Sequence, residues 1–305
     1  MQRNVLIGGV GMTAFTKPGS SPEYYEMARE AGELALKDAG IDYASVEQAY
    51  VGYVYGESTC GQRAVYELGL TGIPVLNVNN NCSTGSSALY MARQAIEHGA
   101  AECVLALGFE KMERGALGSK YDDRELPLAK HAQVMIDQQG FTAAPPAAQM
   151  FGGAGREYRF EHGTQKETFA KIAVKARQHA QHNPYALFGQ TVTLEEVLAA
   201  PEVFDPLTRL QCCPPTCGAA AAILCSEAFA RRHGLDDSVA IIGQAMTTDT
   251  PATFDEQSMI KMVGYDMTAN AAQQVYEQAG IGPQDIDVVE LHDCFTANEL
   301  LTYEA

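Results

Sequence analysis

The sequence predicts an α/β protein built on a mostly parallel sheet. Short apolar runs that read as strands alternate with helical patterns through roughly the first third of the chain. The length, 305 residues, suits two domains or one large α/β unit. Part of the opening pattern also returns near the end. Gly9-Val10-Gly11-Met12-Thr13 comes back as Gly243-Gln244-Ala245-Met246-Thr247, and Ala39-Gly40-Ile41 with Val46 comes back as Ala279-Gly280-Ile281 with Ile286. Strand, helix, turn and second strand follow in the same order in both copies. The second copy reaches Ala305 just after its second strand, so two duplicated core domains are expected, the second incomplete.

Taken in order, Val5 to Val10 is the first strand, and Gly8-Gly9-Val10-Gly11 reads as a tight turn. That glycine pattern lacks the third glycine of a dinucleotide fingerprint and is discounted as one. Ser21-Pro22 is a cap with a first-turn proline, and Gly40 closes the helix. Val46 to Tyr55 leads into a second strand, and Ile73 to Asn77 is the third. A helix with Leu89, Ala92, Ala95 and Ile96 on one side ends at His98-Gly99, and Glu102 to Phe109 is the fourth strand. From Lys111 to Leu210 the composition turns to Gln, His, Pro and Gly, with helices expected at about 146–161, 165–181 and 193–200. Cys217 to Cys225 returns to the sheet. The domains are therefore drawn as 1–110 with 211–235, an inserted lobe at 111–210, and 236–305 as the start of a second core.

A net charge of −17 argues against nucleic acid and anionic membrane surfaces as partners. No apolar run approaches a membrane span, and the N-terminus reads as a strand, too short for a signal peptide. Eight cysteines without secreted-protein spacing read as reduced thiols of an intracellular protein. Cys212, Cys213 and Cys217 lie close together, but no second pair or histidine follows at zinc spacing, so no metal is expected. Twelve of the 21 Lys and Arg residues fall in 111–210. This reads either as a solvated helical excursion or as a locally basic lobe that receives an anionic ligand.

The chemistry centres on Asn79-Asn80-Asn81-Cys82-Ser83-Thr84-Gly85-Ser86, between the third strand and its helix. A cysteine at a helix N-terminus meets unpaired N–H groups and the positive end of the dipole. Both favour thiolate over thiol and make a better nucleophile. A buried core cysteine is the bland alternative, but a plain core has no need of so polar a turn. Near the end, the apolar run through Val288, Val289 and Leu291 reads as a strand that delivers His292, Asp293 and Cys294 at its C-terminal end. Ligands of open α/β sheets bind there, and a histidine near a second cysteine is a plausible proton-transfer pair; a satisfied core histidine is the bland alternative.

These motifs, with Cys103-Val104-Leu105-Ala106-Leu107-Gly108-Phe109-Glu110-Lys111-Met112 and His292-Asp293-Cys294-Phe295, resemble the thiolase superfamily, in particular its sterol-carrier-protein type, from Arg3 to Ala305. The resemblance implies a layered α/β/α fold with a loop domain inserted in the first core, a homodimer, and coenzyme A thioester chemistry. It implies acyl-CoA and CoA as substrates or products, with no tightly bound cofactor. Cys82 matches the acylated nucleophile, Cys294 the acid/base cysteine, and His292 a group that polarises the thioester oxygen. The lobe at 111–210 matches the domain that carries coenzyme A contacts. The expected setting is fatty-acid β-oxidation or sterol side-chain metabolism, with lipid transport associated. The location is the peroxisome in a eukaryote and the cytoplasm in a bacterium or archaeon.

The family pattern continues past Ala305 with a Gly-His-Pro turn, whose histidine activates the nucleophile, and a glycine loop that completes an oxyanion hole. The 305-residue chain alone is therefore expected to be poorly soluble or nearly inactive in thiolysis. Cys217 also stands where an acidic residue is usual. Two alternatives stay open. One is a retro-aldol lyase on a steroid side-chain CoA thioester, against which the Cys82 and Cys294 pair speaks. The other is a non-catalytic thiolase-like subunit that binds an acyl-carrying partner subunit.

Overall fold

A computed structural model describes residues 3–113, 116, 118–236 and 238–305. The first half runs β1 (Val5–Met12), α1 (Tyr24–Ala39), β2 (Gln48–Gly52), α2 (Cys60–Val65), β3 (Val75–Val78), α3 (Thr84–Glu97) and β4 (Cys103–Lys111). It continues through α4 (Ala129–Gln139), α5 (Pro146–His162), α6 (Lys166–Ala180), α7 (Leu194–Ala199), β5 (Glu202–Phe204), β6 (Leu207–Thr208) and β7 (Cys217–Ser226). The remainder holds α8 (Glu227–His233), α9 (Pro251–Asp255), α10 (Met259–Met262), α11 (Tyr265–Ala279) and α12 (Thr296–Glu304). The chain divides into two compact units, Met1–Leu117 with Pro215–Met246, and Gly118–Pro214 with Thr247–Ala305.

The first unit holds a five-stranded sheet in the order β1-β7-β4-β2-β3. β2 lies parallel to β3 and β4, while β7 runs antiparallel between β1 and β4. Alternate residues of each strand feed opposite layers. Leu6, Val51, Leu105 and Ile223 pack with α1 and α2, whereas Val5, Tyr50, Val104 and Leu224 pack with Ala88, Ala92 and Ile96 of α3. The result is the expected α/β/α layering.

Two local expectations are corrected here. Gly8, Gly9 and Gly11 lie inside β1 rather than in a turn. A Cβ on Gly11 would stand 2.3 Å from the Ala31 carbonyl oxygen, and one on Gly9 2.5 Å from that of Ala35, so these glycines let α1 lie against the strand. The cap of α1 is Glu23, not Ser21: the Glu23 N–H donates to the Glu26 carboxylate at 2.9 Å, one half of a capping box. Gly40 closes α1 in the left-handed conformation, as read from the sequence.

The second unit is mainly helical. Its core gathers Val134 and Met135 of α4, Tyr158 of α5, Phe169 of α6, Met259 and Met262 of α10, and Phe295, Leu300 and Leu301 around α12. Helix α4 has no counterpart in the sequence reading, because only Val134 and Met135 of its eleven residues are buried. The repeat survives in local geometry. Helix α11 ends at Gly280 with φ 68° and ψ 29°, the values found at Gly40, and a 3-10 turn follows each. The strands of the second copy do not survive. Ala240 makes only an isolated antiparallel bridge to Leu6 of β1. Residues 286–293 form no strand, and Val288 and Val289 are exposed. A strand needs a ladder partner, and apolar alternation cannot supply one.

Candidate active site

Cys82 sits in a 3-10 turn, Asn81–Ser83, between β3 and α3, and its side chain is exposed. This is the predicted strand-to-helix position. Asn81 takes a positive φ of 45°, a conformation that asparagine tolerates better than most residues. The polar neighbours hold the turn onto the helix. Asn80 N–H donates to Thr84 Oγ1 at 2.7 Å, and Asn80 Nδ2 donates to Ser87 Oγ at 2.9 Å. The Ser83 hydroxyl donates to the Asn80 carbonyl at 2.8 Å, and that of Thr84 to the Asn81 carbonyl at 2.7 Å. Each polar side chain thus closes a bond that the turn would otherwise leave to water. At the end of β2, a Cβ on Gly52 would meet Thr84 Cγ2 at 2.7 Å. Glycine there lets the first turn of α3 settle on the strand.

A second support comes from β4. The Glu110 carboxylate accepts N–H bonds from Val54 at 2.9 Å and Tyr55 at 3.1 Å, fixing the loop after β2. Burial pushes this carboxyl above its ordinary range, against the pull of the N–H groups of Val54, Tyr55 and Lys111. Tyr55 is pushed up in turn by burial and then by the negative fields of Cys82 and Glu110. Glu110, Tyr55 and Cys82 therefore share one electrostatic neighbourhood at the C-terminal ends of the parallel strands. The sequence placed Glu110 in a recognisable motif without assigning it a role. Its partners lie 56 and 55 residues away, beyond any local pattern.

In the second unit, His292 and Asp293 are exposed and Cys294 is 7% exposed. The expected strand does not deliver them; a loop does. Asn298 Nδ2 of α12 donates to the His292 carbonyl at 2.6 Å, and Cys213 N–H donates to the Cys294 carbonyl at 2.8 Å. Phe295 stacks on Phe151, ring centroids 5.0 Å apart, which anchors the entry to α12 in the core. His292 and Cys294 thus share one loop of the second unit, while Cys82 belongs to the first.

The predicted basic lobe is corrected. Residues 111–210 carry twelve Lys and Arg but also twelve Asp and Glu, so the stretch is neutral. Many of its cations are already paired: Lys111 with Glu23 at 2.6 Å, Arg124 with Asp123 at 2.7 Å, Arg159 with Asp205 at 3.6 Å, and Lys175 with Glu299. Arg114, another of the twelve, lies outside the described residues.

Residues 5–228 match the family described as thiolase, N-terminal domain, and residues 251–305 match the thiolase C-terminal domain-like family. The chain belongs to the thiolase family. It is 58% identical over 305 residues to sterol carrier protein 2 of Rattus norvegicus, covering 99% of this chain and 56% of that protein. The chain therefore spans little more than half the length of that curated relative. Among solved structures, an Ltp2-ChsH2(DUF35) aldolase superposes with a TM-score of 0.80 at 25% identity, covering 99% of this chain and 76% of its own. A human mitochondrial 3-ketoacyl-CoA thiolase in complex with CoA gives a TM-score of 0.76 at 18% identity, covering 99% and 82%. That second likeness speaks to fold. The α/β thiolase fold and the sterol-carrier-type kinship read from the sequence are both borne out.

Proposed function

We propose that this thiolase-family chain is an acyltransferase that cleaves or forms 3-oxoacyl-CoA thioesters through an acyl-Cys82 intermediate. The observation that carries the reading is the placement of Cys82: an exposed thiol on a tightly bonded turn, between a parallel strand and the helix that follows it. In the cleavage direction the Cys82 thiolate attacks the 3-keto carbon. The C2–C3 bond breaks, and acetyl-CoA leaves as an enolate that takes a proton from Cys294. The thiol of a second CoA, deprotonated by the Cys294 thiolate, then attacks the acyl-Cys82 carbonyl, releasing a shortened acyl-CoA and regenerating the Cys82 thiolate and the Cys294 thiol. His292 polarises the thioester oxygen during enolate formation. This is covalent catalysis with ping-pong kinetics. The sterol-carrier kinship supports fatty or sterol side-chain substrates, and the homodimer is part of this proposal on the sequence resemblance alone.

The test is mass spectrometry after addition of a 3-oxoacyl-CoA. We expect one acyl group on the Cys82 peptide and none in Cys82→Ser. Acylation elsewhere, or none at all in the intact protein, sinks the reading. A second reading, a retro-aldol lyase acting with a partner subunit, is favoured by the likeness to the Ltp2-ChsH2(DUF35) aldolase. A lyase would turn over its substrate in Cys82→Ser without an acyl-enzyme, so the same variant separates the two.

A further inference from the structure

Two segments of the second unit lie side by side at Cys212-Cys213 and Cys294-Phe295. Cys212 pairs with Phe295 in an isolated antiparallel bridge, and Cys213 N–H donates to the Cys294 carbonyl at 2.8 Å. In that register Cys213 stands opposite Cys294. Opposed residues of an antiparallel pair project to the same face, with Cα atoms about 4.5–5.5 Å apart. Disulfides span Cα separations of about 4.4–6.8 Å, a range that includes the separation of an opposed antiparallel pair.

The third cysteine of the group is a poor competitor. Cys212 is the chain neighbour of Cys213 and projects to the opposite face. Its Sγ donates to the Thr208 carbonyl at 3.4 Å. Burial, with Cys213 beside it, pushes its thiol up to about 11. Cys213 itself is exposed, while Cys294 is buried. Oxidant therefore meets Cys213 first, and the resolving thiol waits across the ladder.

We propose that Cys213 is an oxidative modification site that forms a reversible disulfide with Cys294 when the protein meets a hydroperoxide. The Cys213 thiolate attacks one peroxide oxygen: an S–O bond forms, the O–O bond breaks, and the leaving oxygen takes a proton. The Cys294 thiolate then attacks the sulfenic sulfur: the S–S bond forms, the S–O bond breaks, and hydroxide leaves as water. Two thiols lose two electrons, and one hydroperoxide is reduced to an alcohol, or to water, with one further water formed. A dithiol reductant reverses the bond. The consequence for turnover, loss of the acid/base thiol, rests on the function proposed above; the bond itself does not.

The experiment exposes the protein to hydrogen peroxide, alkylates the remaining thiols, digests, and maps the linked peptides. We expect a single linked pair, Cys213 with Cys294, that dithiothreitol releases. Cys213→Ser should lose it and Cys212→Ser should keep it. A Cys212–Cys213 bridge, a bridge that includes Cys82, or sulfinic acid on Cys294 with no bridge overturns the proposal. Acyl transfer to Cys82, measured on the reduced protein, keeps the two readings apart. The bridge without acylation removes the functional reading only, and acylation without the bridge removes this inference only.

Discussion

Residue by residue, accessibility sorts the eight thiols before any chemistry begins. Cys82 and Cys213 are exposed and Cys212 is half-buried; the other five are buried. Burial pushes Cys225 up to about 11 and Cys103 further up. Limited iodoacetamide near neutral pH should therefore label Cys82 and Cys213 ahead of the rest. Of these two exposed thiols only Cys82 sits beside a helix N-terminus, where negative charge is favoured, so it should label first. Equal rates at Cys82 and Cys213 would leave exposure as the sole cause. Glu110 gives a pH signature. Its folded pKa is raised, so the folded state favours the protonated form. That contribution is present below the ordinary carboxylate value of about 4.3 and is lost as pH rises through the raised value. Urea midpoints of the wild type and Glu110→Gln, taken from about pH 4 to about pH 7, should shift progressively in the variant's favour. Parallel curves would show that the carboxyl is not held up by the fold. A constant offset against the variant is also expected, because Gln offers one acceptor where Glu110 offers two.

The elements show why some of the molecule was legible and some was not. Strands β4 and β7 announced themselves, because a strand covered on both faces is apolar along nearly its whole length. The antiparallel insertion of β7 between β1 and β4 was not visible, since register across the sheet is a non-local choice. Residues 286–291 show the converse, a strand pattern without a ladder among the described residues. At the site, the turn around Cys82 was legible because its polar residues are local to it. The hold of Glu110 on Tyr55 and the opposition of Cys213 to Cys294 depend on the fold, so no spacing rule could find them. The glycines of β1 carry a prediction at this scale. Beyond its contact with the Ala31 oxygen, a Cβ on Gly11 would stand 2.5 Å from Ala35 N, against backbone that cannot swing aside. Gly11→Ala should force α1 off the sheet and cost about 1–3 kcal/mol. The urea midpoint should fall with the slope unchanged. An unchanged midpoint would mean that α1 shifts without loss and that the glycine is not needed for packing.

For the whole molecule, the distribution of charge decides how an anionic ligand is received. The chain carries −17, yet residues 111–210 are balanced at twelve and twelve, so all of the net charge lies outside that stretch. If coenzyme A is a substrate, its phosphates approach a molecule that repels them at long range and meet a stretch of balanced charge whose Lys and Arg side chains can pair with them. These two effects respond differently to salt. The Debye length is about 30 Å at 0.01 M and about 8 Å at 0.15 M, so modest salt removes the long-range repulsion first. Contact pairs between phosphate and Lys or Arg persist until ionic strength nears about 1 M, where the length is about 3 Å. Coenzyme A affinity, followed by titration calorimetry, should therefore pass through a maximum at intermediate salt. Bound coenzyme A should also protect Lys and Arg side chains of 111–210 from chemical modification. A steady fall in affinity from the lowest salt upward would mean that local cations dominate at every range. Protection confined to the first hundred residues would place the ligand on the acidic part of the chain, where its phosphates would need partners other than this lobe.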